Sequence, residues 1–167
     1  MLSDAELAQR LRTVKLLTLD VDGVLTDGGL YFTEDGSQMR RFNVRDGEGM
    51  KQVMAAGVQM ALITASATQA IAHRARVLGI EHALIGVSDK LTALKGLCEI
   101  LKIDIADVAH MGDDLNDLPT LQAVGLSLTV ADARPEVLAE VDFASAQNGG
   151  DAAVRDICDR LVAARNS

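Results

Sequence analysis

The sequence predicts an α/β fold in three layers, a doubly wound parallel sheet between helices. Short apolar runs alternate with segments of helical periodicity along most of the 167 residues, and this alternation is typical of strand–helix–strand units. Hydrophobic residues make up 49% of the chain and aromatic residues only 2%. Aliphatic side chains must therefore fill the core, as they do in buried parallel strands. The length suits a single domain over residues 1–167.

The amino-terminal part of the chain predicts a helix, a strand and a hairpin. Ser3 and Glu6 form a capping-box pattern that begins the first helix, and the apolar run 15–20 predicts a strand that ends on carboxylates. The alternating segments 30–33 and 39–42 flank Asp35-Gly36, a pair that favours a tight turn. We therefore predict a protruding β-hairpin over about residues 29–43.

From residue 46 onward the pattern becomes regular. Helices that end at a glycine alternate with short apolar runs. The predicted strands cover residues 58–64, 82–85, 108–111 and 126–130, with a last strand near Phe143. The predicted helices cover residues 46–56, 67–78, 88–102, 115–124 and 135–140, with a last helix from about Ala152.

Charge and composition exclude several classes of partner. The formal net charge is −8, no basic stripe is visible and stacking aromatics are nearly absent, so we predict no nucleic-acid partner. No apolar segment approaches the ~20 residues that span a bilayer, so we predict no membrane partner. Cys98 and Cys158 lie in apolar helical segments without metal-ligand spacing, and no signal-peptide pattern is visible. We expect a reducing, cytoplasmic setting.

Polar side chains follow four of the predicted strands at the point where each strand ends. The carboxyl ends of parallel strands meet at one edge of the sheet, where such folds bind ligands. We therefore expect one site there, formed by Asp20 and Asp22 after the first strand, Thr64 at the end of the second, Lys90 after the third, and Asp113, Asp114 and Asp117 after the fourth.

These residue types in one place favour phosphate chemistry. The carboxylates of Asp20 and Asp22 are one residue apart and repel each other unless a cation neutralises them. Mg²⁺ prefers such oxygen ligands, and Asp113 supplies another. A hydroxyl from Thr64 and the ammonium of Lys90 complete a phosphate site with a carboxylate nucleophile. Each residue alone has an ordinary structural explanation, as a helix cap, a strand residue or a surface lysine.

The order of these motifs resembles the haloacid dehalogenase superfamily. The resemblance rests on Asp20-Val21-Asp22-Gly23, then Thr64, then Lys90, then Gly112-Asp113-Asp114. It implies that Asp20 attacks the phosphorus of a phosphate ester and forms an aspartyl-phosphate. It also implies that Asp22 protonates the leaving group and then activates water.

The same resemblance assigns the remaining roles. Mg²⁺ would be held by the Asp20 carboxylate, the Asp22 backbone carbonyl and Asp113. Thr64 and Lys90 would stabilise the phosphoryl oxygens. The supporting residues would be Asp114 and Asp117.

No cap domain fits into this sequence. Many members of the superfamily insert one between the first three motifs, but the segments Asp22–Thr64 and Thr64–Lys90 are too short. The site is then open unless a macromolecular substrate or a neighbouring subunit closes it. The predicted hairpin places Leu30, Phe32 and Phe42 on an apolar face, and isolated hairpins are marginally stable. We predict an oligomer contact there; packing of the hairpin on its own domain remains the alternative.

The run Phe42-Asn43-Val44-Arg45-Asp46-Gly47 and the capless layout are similar to the 3-deoxy-D-manno-octulosonate 8-phosphate phosphatase subfamily. That resemblance implies a small phosphorylated sugar acid as substrate, a homotetramer joined by hairpins, and a place in lipopolysaccharide biosynthesis. The matching substrate-contact positions are Asn43, Val44, Arg45, Asp46, Gly47, Arg74 and Lys90.

The chain departs from that subfamily at several positions. Thr64-Ala65-Ser66 stands where the subfamily has Thr-Gly-Arg, Lys51 replaces an arginine, and Asp151 follows Gly149-Gly150 where an arginine is usual. Two alternatives therefore stay open. One is a phosphatase for a related nine-carbon keto-acid phosphate; the other is an accessory subunit of a larger enzyme, such as a phenylphosphate carboxylase.

Overall fold

The computed structural model describes residues 1–166. Eight strands are present in this part of the chain. They are β1 (Leu16–Leu19), β2 (Tyr31–Phe32), β3 (Gln38–Met39), β4 (Gln59–Thr64), β5 (His82–Ile85), β6 (Val108–Met111), β7 (Leu126–Thr129) and β8 (Phe143–Ala144).

Helices separate most of these strands. They are α1 (Asp4–Leu11), α2 (Val44–Ala55), α3 (Gln69–Leu78), α4 (Lys90–Leu101), α5 (Leu118–Leu121), α6 (Pro135–Leu138) and α7 (Ala153–Arg165). Short 3₁₀ turns at Ile105–Asp107 and Leu115–Asp117 precede β6 and α5. The helix predicted over residues 115–124 is thus a 3₁₀ turn followed by the short α5.

Six strands form one parallel sheet in the order β5-β4-β1-β6-β7-β8. β1 lies between β4 and β6, with Leu16 paired to both Gln59 and Val108. The residues of β1, β6 and β7 are all buried, as expected of central strands that are covered by helices on both faces. The predicted α/β fold class is confirmed.

The two faces of the sheet contact different helices. Leu17 and Leu19 of β1 belong to a large core cluster that includes Met50 of α2 and Ile157 of α7. Leu16 points to the opposite face, into a smaller cluster with residues of α4. Side chains alternate along a strand, so β1 carries both layers of helices. Its carboxyl end, and with it Asp20, is fixed from both sides.

The hairpin is present but shorter than predicted. Tyr31 pairs with Met39 and Phe32 with Gln38, and the chain turns at Gly36, whose φ is +81°. The prediction that Phe42 shares the hairpin's apolar face is wrong. Phe42 packs against the main core, with the guanidinium of Arg74 5.5 Å from its ring centre. It leaves the hairpin because the chain turns into the domain after Met39.

The loop before α7 crosses the loop after β1 at close range. Gly150 donates its N–H to the Val24 carbonyl at 3.0 Å. A Cβ added to Gly149 would lie 1.8 Å from the Gly23 carbonyl oxygen, which no side chain can tolerate. These glycines therefore let the two loops pack backbone against backbone beside Asp20.

Among residues 1–166, we find no helix with both the length and the apolar character needed to cross a membrane.

Gly149→Ala is expected to destabilise the protein by about 1–3 kcal/mol or more, because overpacking against a fixed backbone forces the chain to shift. Gly96→Ala is the matched control: it lies in α4, and an added Cβ would meet nothing within 4 Å. There the change should be neutral or stabilising by up to about 1 kcal/mol. Thermal unfolding of both variants measures the difference, and equal melting temperatures would contradict the close approach.

Candidate active site

Asp20 is the first residue after β1, at the carboxyl edge of the sheet. Its backbone N–H donates to the Met111 carbonyl at 2.9 Å, which ties the loop to β6. The following turn places Gly23 at a φ of +92°, and a Cβ there would lie 2.1 Å from Asp113 Oδ2. Glycine thus allows the Asp113 carboxylate to approach the backbone of the loop that carries Asp20 and Asp22.

Lys90 joins two carboxylates at the centre of the site. It begins α4, and its Nζ lies 2.8 Å from Asp20 Oδ1 and 2.6 Å from Asp117 Oδ1. Its side chain is only 1% exposed. Burial alone would lower the pKa of Lys90, but the charges of Asp20 and Asp117 raise it above its usual value. Lys90 therefore remains an ammonium ion.

Asp117 is held from every side. Oδ1 accepts from Lys90 and lies 3.4 Å from His110 Nε2, while Oδ2 accepts the backbone N–H groups of Asp113 and Asp114 at 3.2 Å. Burial opposes its ionisation, yet the contacts with His110 and Lys90 hold the pKa of Asp117 below its usual range. It is a permanent carboxylate with no oxygen left unpartnered.

His110 is a member of this network that the sequence analysis missed. It lies in β6, fully buried, with Nδ1 2.8 Å from Thr18 Oγ1 of β1. The sequence did contain a signal for it, namely a single histidine in a largely apolar strand that is followed by an acidic loop. Its contacts fix Asp117 from below the sheet edge.

The acidic residues of the site fit a divalent cation. Asp20, Asp113 and Asp117 each offer a carboxylate oxygen within 4.8 Å of the others. Asp117 already has hydrogen-bond donors on both oxygens, whereas Asp113 Oδ1 is buried without a partner. Asp113 and Asp20 are therefore the better ligands. Such crowding of buried carboxylates favours a hard cation with oxygen ligands, such as Mg²⁺.

The pKa values of Asp113 and Asp20 reflect the same crowding. Burial and the nearby charge of Asp20 raise the pKa of Asp113 to about 7. Burial and the charge of Asp117 raise the pKa of Asp20 to about 6, although Lys90 acts in the opposite direction. A bound cation would reverse both shifts by stabilising the ionised carboxylates.

Thr64 and Asp22 occupy the same edge. Thr64 is buried at the end of β4, and its Oγ1 accepts the Ser66 N–H at 3.1 Å. The Asp22 side chain does not join the acidic cluster. It pairs with Arg40, whose Nε lies 2.7 Å from Asp22 Oδ1. Arg40 comes from the end of the hairpin and was not singled out in the sequence, where two adjacent arginines gave no sign of which one points inward.

The predicted substrate-contact residues gather at the beginning of α2. Asn43 caps this helix by accepting the Arg45 N–H at 2.9 Å, and Arg74 Nη2 donates to the Asn43 carbonyl at 2.9 Å. Asp46 accepts the Arg155 N–H of α7 at 2.8 Å, and burial raises the pKa of Asp46 to about 6. In this chain Arg74 and Asp46 hold the start of α2 against α3 and α7.

Four further predicted residues remain, three at the start of α2 and one at the acidic cluster. Gly47 lies against Arg74, because a Cβ there would be 2.6 Å from Arg74 Nη2. Val44 and Arg45 are exposed. Asp114 is also exposed at the rim of the acidic cluster and caps the 3₁₀ turn by accepting the Leu115 N–H at 2.7 Å.

Asp113→Asn is expected to stabilise the metal-free protein at pH 8 and to abolish its response to Mg²⁺. The ordinary pKa of an aspartate is 3.8, whereas Asp113 has one of about 7. The folded state therefore holds more protons between these values, so stability falls as the pH rises through them. We expect the melting temperature in EDTA at pH 8 to rise by at least about 2–4 °C, the effect of about 1 kcal/mol at this size.

The melting temperature should also be measured at two pH values and for a control variant. For the wild type, Mg²⁺ should raise the melting temperature more at pH 8 than at pH 5.5, because protons compete for the ligands at low pH. Asp159→Asn, the same change on the exposed face of α7 and away from the acidic cluster, should behave as the wild type. A wild type whose Mg²⁺ response does not depend on pH would contradict the assignment of Asp113 as a ligand.

Comparisons with known proteins agree with this geometry. The sequence pattern described as haloacid dehalogenase-like hydrolase matches residues 86–157. The chain is 40% identical over 161 residues to the 3-deoxy-D-manno-octulosonate 8-phosphate phosphatase KdsC of Escherichia coli strain K12, covering 96% of this chain and 86% of that protein.

Two solved structures are also similar. The crystal structure of the phosphatase of that name from Moraxella catarrhalis, in complex with magnesium ion, phosphate ion and a KDO molecule, superposes with a TM-score of 0.94 at 35% identity, covering 96% of this chain and 92% of that one. The structure of the phosphatase of the same name from Yersinia pestis has a TM-score of 0.94 at 39% identity, covering 96% of this chain and 87% of that one. The chain therefore belongs to the haloacid dehalogenase-like hydrolases, in the capless family that contains these phosphatases.

Proposed function

We propose that this protein is a Mg²⁺-dependent phosphatase that hydrolyses 3-deoxy-D-manno-octulosonate 8-phosphate through Asp20. The observation that carries the proposal is the buried Asp20–Lys90–Asp117 array beside the unpartnered oxygen of Asp113. It provides a nucleophile, a fixed positive charge and a cation site in one place. The relative from Moraxella catarrhalis holds magnesium, phosphate and KDO, which supports this substrate class.

In the proposed reaction, an oxygen of the Asp20 carboxylate attacks phosphorus while the bond from phosphorus to the sugar oxygen breaks. Asp22 gives its proton to the departing oxygen. Water then attacks the aspartyl-phosphate, Asp22 takes a proton from that water, and Asp20 and inorganic phosphate are released. Because the pKa of Asp20 is about 6, the nucleophile is ionised at neutral pH.

The surrounding residues stabilise charge on the transferred group. Lys90 is a buried ammonium beside Asp20, and Thr64 offers a hydroxyl from the next strand, so both can serve the phosphoryl oxygens. Asp20, Asp113 and the backbone carbonyl of Asp22 would hold Mg²⁺, with Asp114 and Asp117 in support. When bound, Mg²⁺ neutralises the carboxylates and the phosphate oxygens that would otherwise repel each other.

The start of α2 is proposed to meet the sugar acid. The exposed Val44 and Arg45 project from it, and Arg45 can grip a carboxylate with two parallel hydrogen bonds. Asn43, Asp46, Gly47 and Arg74 would act mainly by fixing this segment. Their contacts with α3 and α7 support this structural role for part of the predicted substrate-contact residues.

We further propose that the single domain assembles into a homo-oligomer, a tetramer, through its hairpin. Leu30, Tyr31, Phe32 and Met39 are between 44% and 57% exposed, on the two hairpin strands and directly before the first of them, a grouping typical of an interface. A neighbouring subunit would also close the open site. The free, buried thiols of Cys98 and Cys158 support a cytoplasmic setting. The substrate class supports a role in lipopolysaccharide biosynthesis.

Among a panel of phosphate monoesters with Mg²⁺, we expect 3-deoxy-D-manno-octulosonate 8-phosphate to give the highest kcat/KM. Asp20→Asn should lower kcat by at least about 10³-fold, because an amide is a poor nucleophile. The measurement is release of inorganic phosphate. Asp159→Asn, the same change on the exposed face of α7, should retain full activity.

The panel also decides between the alternatives. A higher kcat/KM for a nine-carbon keto-acid phosphate would move the substrate and keep the reaction. Absence of phosphatase activity together with co-purification of a large enzyme would favour an accessory subunit. Normal turnover by Asp20→Asn would contradict the assignment of the nucleophile.

Phe32→Lys is expected to lower the oligomer's mass, since it places a charge in the proposed apolar contact. Val77→Lys is the matched control: Phe32 is 57% exposed and Val77 is 56% exposed, on α3. Light scattering after size-exclusion chromatography gives both masses. A monomeric wild type, or equal masses for the wild type and Phe32→Lys, would argue against hairpin-mediated assembly.

A further inference from the structure

Arg40 stands apart from the rest of the hairpin. Residues 30–39 are all exposed, yet the Arg40 side chain is only 3% exposed. Its neighbour Arg41 is 58% exposed on its side chain and lies 3.6 Å from Asp27. A guanidinium loses much hydration on burial and is found buried only where charged partners replace the water. The position of Arg40 therefore has a specific cause.

That cause is the carboxylate of Asp22. Arg40 Nε donates to Asp22 Oδ1 at 2.7 Å, and Nη2 lies 3.5 Å from Oδ2. The planar guanidinium thus meets both oxygens, which fixes the orientation of the carboxylate as well as its distance. A single point charge would leave Asp22 free to rotate.

The same guanidinium is anchored to the second motif. Arg40 Nη2 donates to Ser66 Oγ at 3.3 Å, and the Ser66 N–H donates to Thr64 Oγ1 at 3.1 Å. A continuous chain of contacts therefore links Asp22 through Arg40 and Ser66 to Thr64.

Ser66, which accepts from Arg40, also lines a cleft between the hairpin and the start of α3. The cleft has a volume of about 640 Å³ and is lined by the hairpin turn and the residues before and at the start of α3, including Gln38, Ser66 and Thr68. It offers room for the organic part of a phosphate ester. The Asp22 carboxylate pairs with Arg40, which contacts Ser66 of the cleft wall, and it is not one of the carboxylates of the Asp20–Asp113–Asp117 cluster.

We infer that Arg40 is a positioning residue that holds Asp22 on the leaving-group side of the phosphate. The inference rests on the proposed phosphatase function, in which Asp22 donates a proton as the bond from phosphorus to the leaving oxygen breaks. Without Arg40, the carboxylate rotates away from that oxygen. The loss of kcat/KM on removing Arg40 then depends on how strongly the leaving group requires protonation. Loss of a residue that only supports the fold would lower kcat/KM equally for all leaving groups.

The test compares Arg40→Gln with Arg41→Gln, the same change at the adjacent exposed position, on substituted phenyl phosphates in Mg²⁺. General acid–base catalysis contributes about 10²–10⁴-fold, so Arg40→Gln should lower kcat/KM for phenyl phosphate by about tenfold or more. For p-nitrophenyl phosphate, whose product leaves without a proton, the fall should stay within about threefold. The plot of log kcat/KM against leaving-group pKa becomes steeper, and Arg41→Gln keeps the wild-type slope.

A second readout uses the later role of Asp22 as base. With p-nitrophenyl phosphate, Arg40→Gln should show a burst of nitrophenolate, because hydrolysis of the aspartyl-phosphate becomes limiting. Arg40→Lys keeps the positive charge but offers a single donor nitrogen. The slope of its plot should therefore lie between those of the wild type and Arg40→Gln. It also serves as the test variant if circular dichroism shows that Arg40→Gln is unfolded.

The outcomes are distinct. Equal losses on all the phenyl phosphates, or no loss in Arg40→Gln, would overturn the positioning role and leave the phosphatase proposal intact. A wild type that hydrolyses none of these esters and no sugar phosphate would sink both.

Discussion

The site depends on the buried ammonium of Lys90, which lies between the carboxylates of Asp20 and Asp117. Those carboxylates follow two adjacent strands, β1 and β6, and would repel each other in a region from which water is largely excluded. Removing one partner from a buried ion pair leaves an uncompensated charge. Lys90 therefore joins α4 to the sheet edge and holds the two loops that carry the acidic residues at a fixed separation.

The division of labour among the acidic residues follows from their partners. Asp117 has donors on both oxygens and stays ionised, so it can support the site without rearranging. Asp113 has an unpartnered buried oxygen, and its pKa is about 7. The two residues are four positions apart, yet one is saturated by the protein and the other is left for a ligand. Identical side chains thus acquire different chemistry from their surroundings.

The hairpin links two properties of the molecule. Its two arms expose apolar side chains, while Arg40 at its base reaches Asp22 inside the site. Arg40 directly follows β3, so a contact that orders the hairpin would also help to order the Asp22 carboxylate. An open, capless site would in this way depend on its neighbours for both shape and chemistry.

The sequence by itself determined the succession of strands and helices along the chain, through apolar runs and helices that end at glycine. Polar residues at four strand ends then predicted that Asp20, Thr64, Lys90 and Asp113 share one edge of a parallel sheet. These features are local or follow from parallel topology. Only the tertiary structure decided that Phe42 packs in the core, that His110 supports Asp117, and that Arg40 rather than Arg41 turns inward. Such choices depend on contacts between residues distant in the chain, and local periodicity carries no record of those contacts.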